Sequence, residues 1–255
     1  MRQRFCSYVL LVAALSLPVR PGLSASNREA DVVQTSAGDL RLMPIYHGSV
    51  MLEFGGKVIY VDPYSKGDFT GLPGADLIII THTHADHLDR SMVDKLKTPN
   101  MMIVGPSAVI DTLNCAPVCG DVETVSDSEK KTVMGIGIEG VPMYNLQYGP
   151  KPGMPWHHKG IGASYILTFG DTRVYFSSDS ECTPEMKALK NITIAFIAMN
   201  PPKTQSPADA AACVKEFKPK IVYPYHYSHS NLAEFTEPLK GSGIEVRIRK
   251  LENEP

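Results

Sequence analysis

Residues 77–89 read Leu77-Ile78-Ile79-Ile80-Thr81-His82-Thr83-His84-Ala85-Asp86-His87-Leu88-Asp89. Leu77 to Ile80 is an apolar run of strand length, which suits a strand buried on both faces of a sheet. Three of the chain's eight histidines follow within six residues. In extended backbone, side chains two apart point the same way, so His82 and His84 can grip one cation. The chain then turns, which lets Asp86 and His87 reach a second. Neutral imidazole and carboxylate suit Zn²⁺ and related divalent ions. A polar surface loop is the plain alternative.

On the N-terminal side, strands are expected over Leu40–Tyr46, Val50–Phe54 and Lys57–Val61, the last two joined by a Gly55-Gly56 hairpin turn. On the C-terminal side, Arg90–Leu96 and Ser107–Leu113 read as helices flanking a strand at Met101–Val104. Lys131–Tyr144 holds one or two strands, and Ser164–Phe169 pairs with Arg173–Ser177 around Gly170-Asp171. Thr183 with Pro184, and Ser206 with Pro207, each read as a cap followed by proline at the first helical position. The second of these helices runs to about Phe217. Further strands are expected at Ile192–Met199, Ile221–Tyr223 and Ile244–Ile248, with a helix near Leu232–Leu239. Two similar α/β halves suggest two mixed sheets packed face to face, with helices outside.

The chain has 255 residues, 43% hydrophobic and 20% charged, which excludes disorder and fibrous repeats. Arg2 and Arg4, the apolar stretch Val9–Leu15 and small residues up to Ala25 form a signal-peptide pattern over 1–25, too short to span a membrane. An uncleaved anchor is the alternative. The expected mature chain, 26–255, is one domain without repeats or linkers. It carries 22 basic against 27 acidic residues, a net of −5, which argues against a nucleic-acid partner. A secreted or periplasmic location would permit disulfides among Cys115, Cys119, Cys182 and Cys213, and Cys115 to Cys119 could close a small loop. Spacing does not assign the pairs, and buried or free thiols are the alternative. Cys182, three residues past Asp179, could instead be a ligand or nucleophile. Gly135-x-Gly137-x-x-Gly140 matches the dinucleotide fingerprint only formally, because no helix follows it. Trp156 lies in a Pro/Gly-rich stretch that either covers the site or is packed as an anchor.

His82-x-His84-x-Asp86-His87 resembles the metal signature of the metallo-β-lactamase superfamily. The resemblance extends to Val58-Ile59-Tyr60-Val61-Asp62-Pro63, to Tyr175-Phe176-Ser177-Ser178-Asp179-Ser180 and to Tyr223-Pro224-Tyr225-His226. Within the superfamily, the chain is most similar to the branch near ascorbate-phosphate lactonases and the phospholipase D acting on N-acyl phosphatidylethanolamine. One departure is Ser177-Ser178, where that pattern has glycine before the aspartate. The resemblance implies an αββα sandwich with one or two metals at one edge. It assigns His82, His84 and His157 to one ion, Asp86, His87 and His226 to the other, and Asp179 to both. His158 and Asn145 remain alternatives to His157.

The same resemblance implies a hydrolase in which two Zn²⁺ ions, with Mn or Fe as alternatives, hold a hydroxide that attacks an ester-type bond in a small-molecule substrate: a lactone, a phosphodiester or similar. Asp86 has a further catalytic role there, orienting the hydroxide or carrying a proton to the leaving group. Asp62 is expected behind a ligand histidine, or else as the closing residue of a strand-end turn. His47 and His229 are expected at the mouth as substrate contacts, or else as ordinary partly exposed histidines. Hydrolysis of a β-lactam is a further option. The rival from another class is an exported, non-catalytic metal- or ligand-binding protein on the same fold.

Overall fold

The structure, a computed structural model, describes residues 30–114 and 120–251. The expected signal segment and the Cys115–Cys119 loop lie outside them. The first sheet opens with an antiparallel meander of β1 (Asp31–Thr35), β2 (Gly38–Tyr46), β3 (Ser49–Phe54) and β4 (Lys57–Val61). It continues in parallel through β5 (Leu77–Ile79), β6 (Met102–Gly105) and β7 (Asp121–Thr124). The second sheet repeats the plan. Its antiparallel part is β8 (Lys130–Val133), β9 (Ile136–Pro142), β10 (Ala163–Phe169) and β11 (Thr172–Phe176), and its parallel part is β12 (Ile194–Ala198), β13 (Ile221–Tyr225) and β14 (Glu245–Val246).

Parallel neighbours need crossovers, and short helices supply most of them. These are α1 (Arg90–Leu96) and α2 (Ser107–Leu113) on the first sheet, and α3 (Pro184–Lys187), α4 (Pro207–Phe217) and α5 (Ala233–Leu239) on the second. The anticipated caps form: Thr183 accepts from Met186 N and Ser206 from Asp209 N, each with proline in the first turn. None of the described helices is long and apolar enough to cross a membrane.

Alternation along the strands divides the core. Ile59, Val61, Leu77 and Ile79 face the second sheet and pack with Ile138, Leu167 and Val174. Tyr60 and Ile78 point the other way and pack with Met92, Val93 and Leu96 of α1. Both faces of β5 are therefore buried, as its unbroken apolar run requires.

Two features differ from the sequence reading. Edge strands β1 and β7 form from stretches too polar to read as strands, because pairing with a neighbour satisfies their backbone. The expected strand Ile244–Ile248 shrinks to Glu245–Val246; beyond it Arg247 and Arg249 turn to the Asp31 carboxylate. Lys131–Tyr144 holds two strands, as one of the expected arrangements, joined as a hairpin with Met134 and Gly135 at its turn both at positive φ. That assigns the glycine fingerprint to structure: Gly135 makes the turn, and a Cβ at Gly140 would collide with Ser126 O.

Candidate metal centre

The chemistry-bearing residues collect where strands end along one edge of the sandwich. Asp62 follows β4, the His82–His87 turn follows β5, Asp179 follows β11 and His226 follows β13. His47 lies in the β2–β3 turn and His157 in the β9–β10 loop. Ends of parallel strands are where open α/β sheets leave a crevice between diverging connections.

Two groups share one carboxylate. Ligand atoms of His82, His84, His157 and Asp179 lie within 4.8 Å of one another, as do those of His87, Asp179 and His226. Asp179 Oδ2 is 3.5 Å from His157 Nε2 and 3.9 Å from His82 Nε2. Its Oδ1 is 3.2 Å from His87 Nε2 and 3.3 Å from His226 Nε2. Asp86 sits at the outer side, with Oδ2 3.6 Å from His226 Nε2 and 3.4 Å from His47 Nε2. His82 Nε2, His87 Nε2, His226 Nε2 and Asp179 Oδ1 are buried without a hydrogen-bond partner. A buried polar atom left unpaired costs about 1–3 kcal/mol, and four that converge form a donor set fitted to a divalent cation.

Electrostatics sets the charge of these groups. Burial pushes His82 well below its usual pKa, lowers His84, and brings His157 down to about 4, so all three are neutral near pH 7. Burial would lower His87 too, but the Asp179 and Asp62 carboxylates outweigh it and hold His87 well above its usual value. Burial also opposes charge on Asp179; His226 and His87 outweigh it and keep the carboxyl well below the usual range. Asp86 is likewise held down, its burial outweighed by hydrogen bonds from His226 and His47.

Behind the donors stands a layer of hydrogen bonds. The fully buried Asp62 lies with Oδ2 2.7 Å from His87 Nδ1, and accepts from Thr81 N at 2.8 Å and Thr81 Oγ1 at 2.7 Å. Ser178 Oγ donates to Thr81 Oγ1 at 2.7 Å and lies 3.3 Å from His82 Nδ1, tying the second sheet to the first. His47, Asp62, Ser178 and His226 all have φ between 43° and 52°. Left-handed backbone at four non-glycine residues concentrates strain at this edge, as functional sites often do. It also explains the departure at Ser178: glycine suits that backbone, but only serine adds the bond to Thr81. Gly48 has a steric reason, because a Cβ there would stand 3.2 Å from His87 Cε1.

The structure separates the three candidates for the third ligand. His157 is buried in the first group, while His158 is exposed. Asn145 lies against His157 rather than among the grouped ligand atoms. Its Oδ1 accepts from His157 N at 2.8 Å and faces the ring Nδ1 at 2.8 Å, while its Nδ2 donates to Lys203 O at 2.9 Å. That leaves His157 Nε2 directed at Asp179. Asn145→Ala is therefore expected to lower metal affinity by about 10–100-fold, measured by competition with a chromophoric chelator; unchanged affinity would show that His157 needs no orienter.

Sequence reasoning did not anticipate Asn145 in this role, nor Thr81 and Ser178, because each acts across the fold. Cys182 is paired with Cys213, which fastens the segment after Asp179 to α4 and removes Cys182 as a ligand or nucleophile. Trp156 is half-buried, with Lys203 Nζ 3.2 Å from its ring centroid. His229 is exposed on the rim of a cleft that also contains His47 and Asp86.

Comparison with known proteins agrees with this geometry. The β-lactamase superfamily domain family matches residues 42–226, from β2 to the last histidine of the site. A UPF0173 metal-dependent hydrolase of Aeropyrum pernix is 27% identical over 229 residues, 83% of this chain and 94% of its own length. A solved structure from Parabacteroides distasonis, assigned as a metal-dependent hydrolase, is 37% identical, with TM-score 0.79 over 88% of this chain and all of that one. The metallo hydrolase Igni18 of Ignicoccus hospitalis, at 18% identity and TM-score 0.69, covers 84% of this chain and 96% of its own, and shares the fold. With its two seven-stranded mixed sheets and its histidine–aspartate edge, the chain belongs to the metallo-β-lactamase superfamily of metal-dependent hydrolases.

Proposed function

We propose that the protein hydrolyses an ester-type bond, in a lactone, a phosphodiester or a related small molecule, with two Zn²⁺ ions. His82, His84 and His157 would hold one ion, Asp86, His87 and His226 the other, and Asp179 both. The observation that supports this most is the convergence of unsatisfied buried donors on Asp179 from both sides. When bound, the ions supply an activated water and polarise the substrate's carbonyl or phosphoryl oxygen. Asp62, Asn145 and Ser178 hold the imidazoles in place, so little reorganisation accompanies reaction. Asp86 is the carboxylate on the open side, with its side chain 35% exposed. It is placed to orient the water and to pass a proton to the leaving group. His47 and His229 line the approach. The signal-peptide pattern of residues 1–25 supports a location outside the cytoplasm for this activity.

The test is direct. Elemental analysis of the mature protein is expected to find about two divalent ions per chain. Turnover is expected with at least one of nitrocefin, an aryl phosphodiester or a homoserine lactone, lost with chelator and regained with Zn²⁺ or Mn²⁺. Metal without turnover on all three would favour a binding protein; no metal would sink the reading.

A further inference from the structure

The cleft beside Asp86 holds about 380 Å³, and its walls include Tyr46, His47, Tyr64, Lys66 and His229. Tyr64 and Lys66 lie on the segment between β4 and β5, and that segment is pinned. Tyr64 N donates to Ser49 Oγ at 3.0 Å, and Ser65 N to Asp89 Oδ2 at 2.9 Å. Gly67 closes so tightly on β2 that a Cβ there would stand 2.9 Å from Tyr46 Cβ. The Tyr46 and Tyr64 rings are 6.2 Å apart, and the Lys66 ammonium stands 5.6 Å from the Tyr64 ring centroid. Tyr64 beside it raises the Lys66 pKa above its usual value, so Lys66 is a cation at neutral pH. Lys66 also hydrogen-bonds the Tyr64 side chain, and among the described residues it makes no ion pair. One wall therefore presents two phenol rings and a cation, and the other opens on Asp86.

We infer that this cleft is a specificity subsite for an oxyanion carried on the non-reacting part of the substrate. Lys66 takes the carboxylate or phosphoryl group, the tyrosine rings flank the linking segment, and the scissile bond points to Asp86. An ammonium is a compact charge with three donors, and its bond to Tyr64 leaves the others for an oxyanion. The inference rests on the hydrolase reading and goes beyond it by naming an anionic substrate class.

Three esters of equal chain length test it: 4-nitrophenyl hexanoate, 4-nitrophenyl hydrogen adipate and 4-nitrophenyl 5-phosphonopentanoate. KM for the anionic esters is expected to be roughly tenfold below that for the hexanoate, the scale of one charge-assisted hydrogen bond at an open site. The two anionic esters show whether a carboxylate or a phosphoryl group is preferred. Lys66→Ala is expected to bring the ratio of KM values to about one, Lys66→Glu to invert it and Lys66→Arg to keep it. The non-hydrolysable ether 6-(4-nitrophenoxy)hexanoate gives a second readout, binding by calorimetry, which Lys66→Ala should weaken by a similar factor. Lys66-dependent binding of the ether without turnover of any of these esters, or of nitrocefin, the aryl phosphodiester and the homoserine lactone, would leave the subsite standing and end the hydrolase reading. A wild-type ratio near one, a ratio unchanged in Lys66→Ala, or no Lys66-dependent binding of the ether overturns the subsite.

Discussion

Asp179→Ala is expected to abolish hydrolysis, with kcat/KM down by about 10³-fold or more, a loss equivalent to about 4 kcal/mol of transition-state stabilisation. The magnitude follows from position. Asp179 is 3% exposed and directs one oxygen to His82 and His157 and the other to His87 and His226. No other residue belongs to both groups of four and three described above. Without this carboxylate, buried imidazoles face one another with no central negative charge, and the two ions proposed above would lose the group that screens their repulsion. Asp179→Asn keeps the shape and removes the charge, so it separates electrostatics from packing and should fail nearly as completely. Elemental analysis is expected to show metal content falling to one ion or fewer, with circular dichroism unchanged. Retention of full turnover and two ions would take Asp179 out of the centre.

Phe196→Ala is expected to have the largest effect on stability, about 3–5 kcal/mol. Phe196 lies in β12 opposite Phe176 of β11 and Tyr223 of β13. Its ring stacks on both, at 4.8 Å and 5° on one side and at 4.7 Å and 10° on the other, while Tyr225 meets it edge-on at 5.7 Å. Truncation would remove a fully buried ring and two stacking partners at once, and strands held from both sides collapse little into the space. For a domain of this size the melting temperature should fall by roughly 10 °C. Scanning calorimetry with and without chelator measures it, because bound metal adds its own stabilisation to the folded state. A shift below about 2 °C would show that neighbouring rings refill the site.

Much of the framework was legible in the residue order because it is local. The apolar run Leu77–Ile80 marks a strand buried on two faces, the Thr183-Pro184 and Ser206-Pro207 pairs mark helix starts, and Gly55-Gly56 marks a hairpin. Within a few residues, backbone geometry decides which side chains share a direction. His82 and His84 thus fall in one group, while His87 falls in the other. Edge strands β1 and β7 were not legible, since pairing with a neighbour defines them more than their own pattern does.

The chain order alone therefore determined the sheets' central strands, the helix caps and the local histidine turn. Tertiary structure alone decided which distant groups meet that turn. His84 and His157 are 73 residues apart and Thr81 and Ser178 are 97 apart, yet their atoms lie 3.1 and 2.7 Å from one another. It also paired Cys182 with Cys213, set Asn145 Oδ1 against His157 Nδ1, and set Lys66 in a cleft opening on Asp86. The physical reason is range: φ, ψ preferences and side-chain periodicity fix geometry over a turn or two, whereas contacts between loops exist only once two sheets have packed and brought their strand ends to one edge.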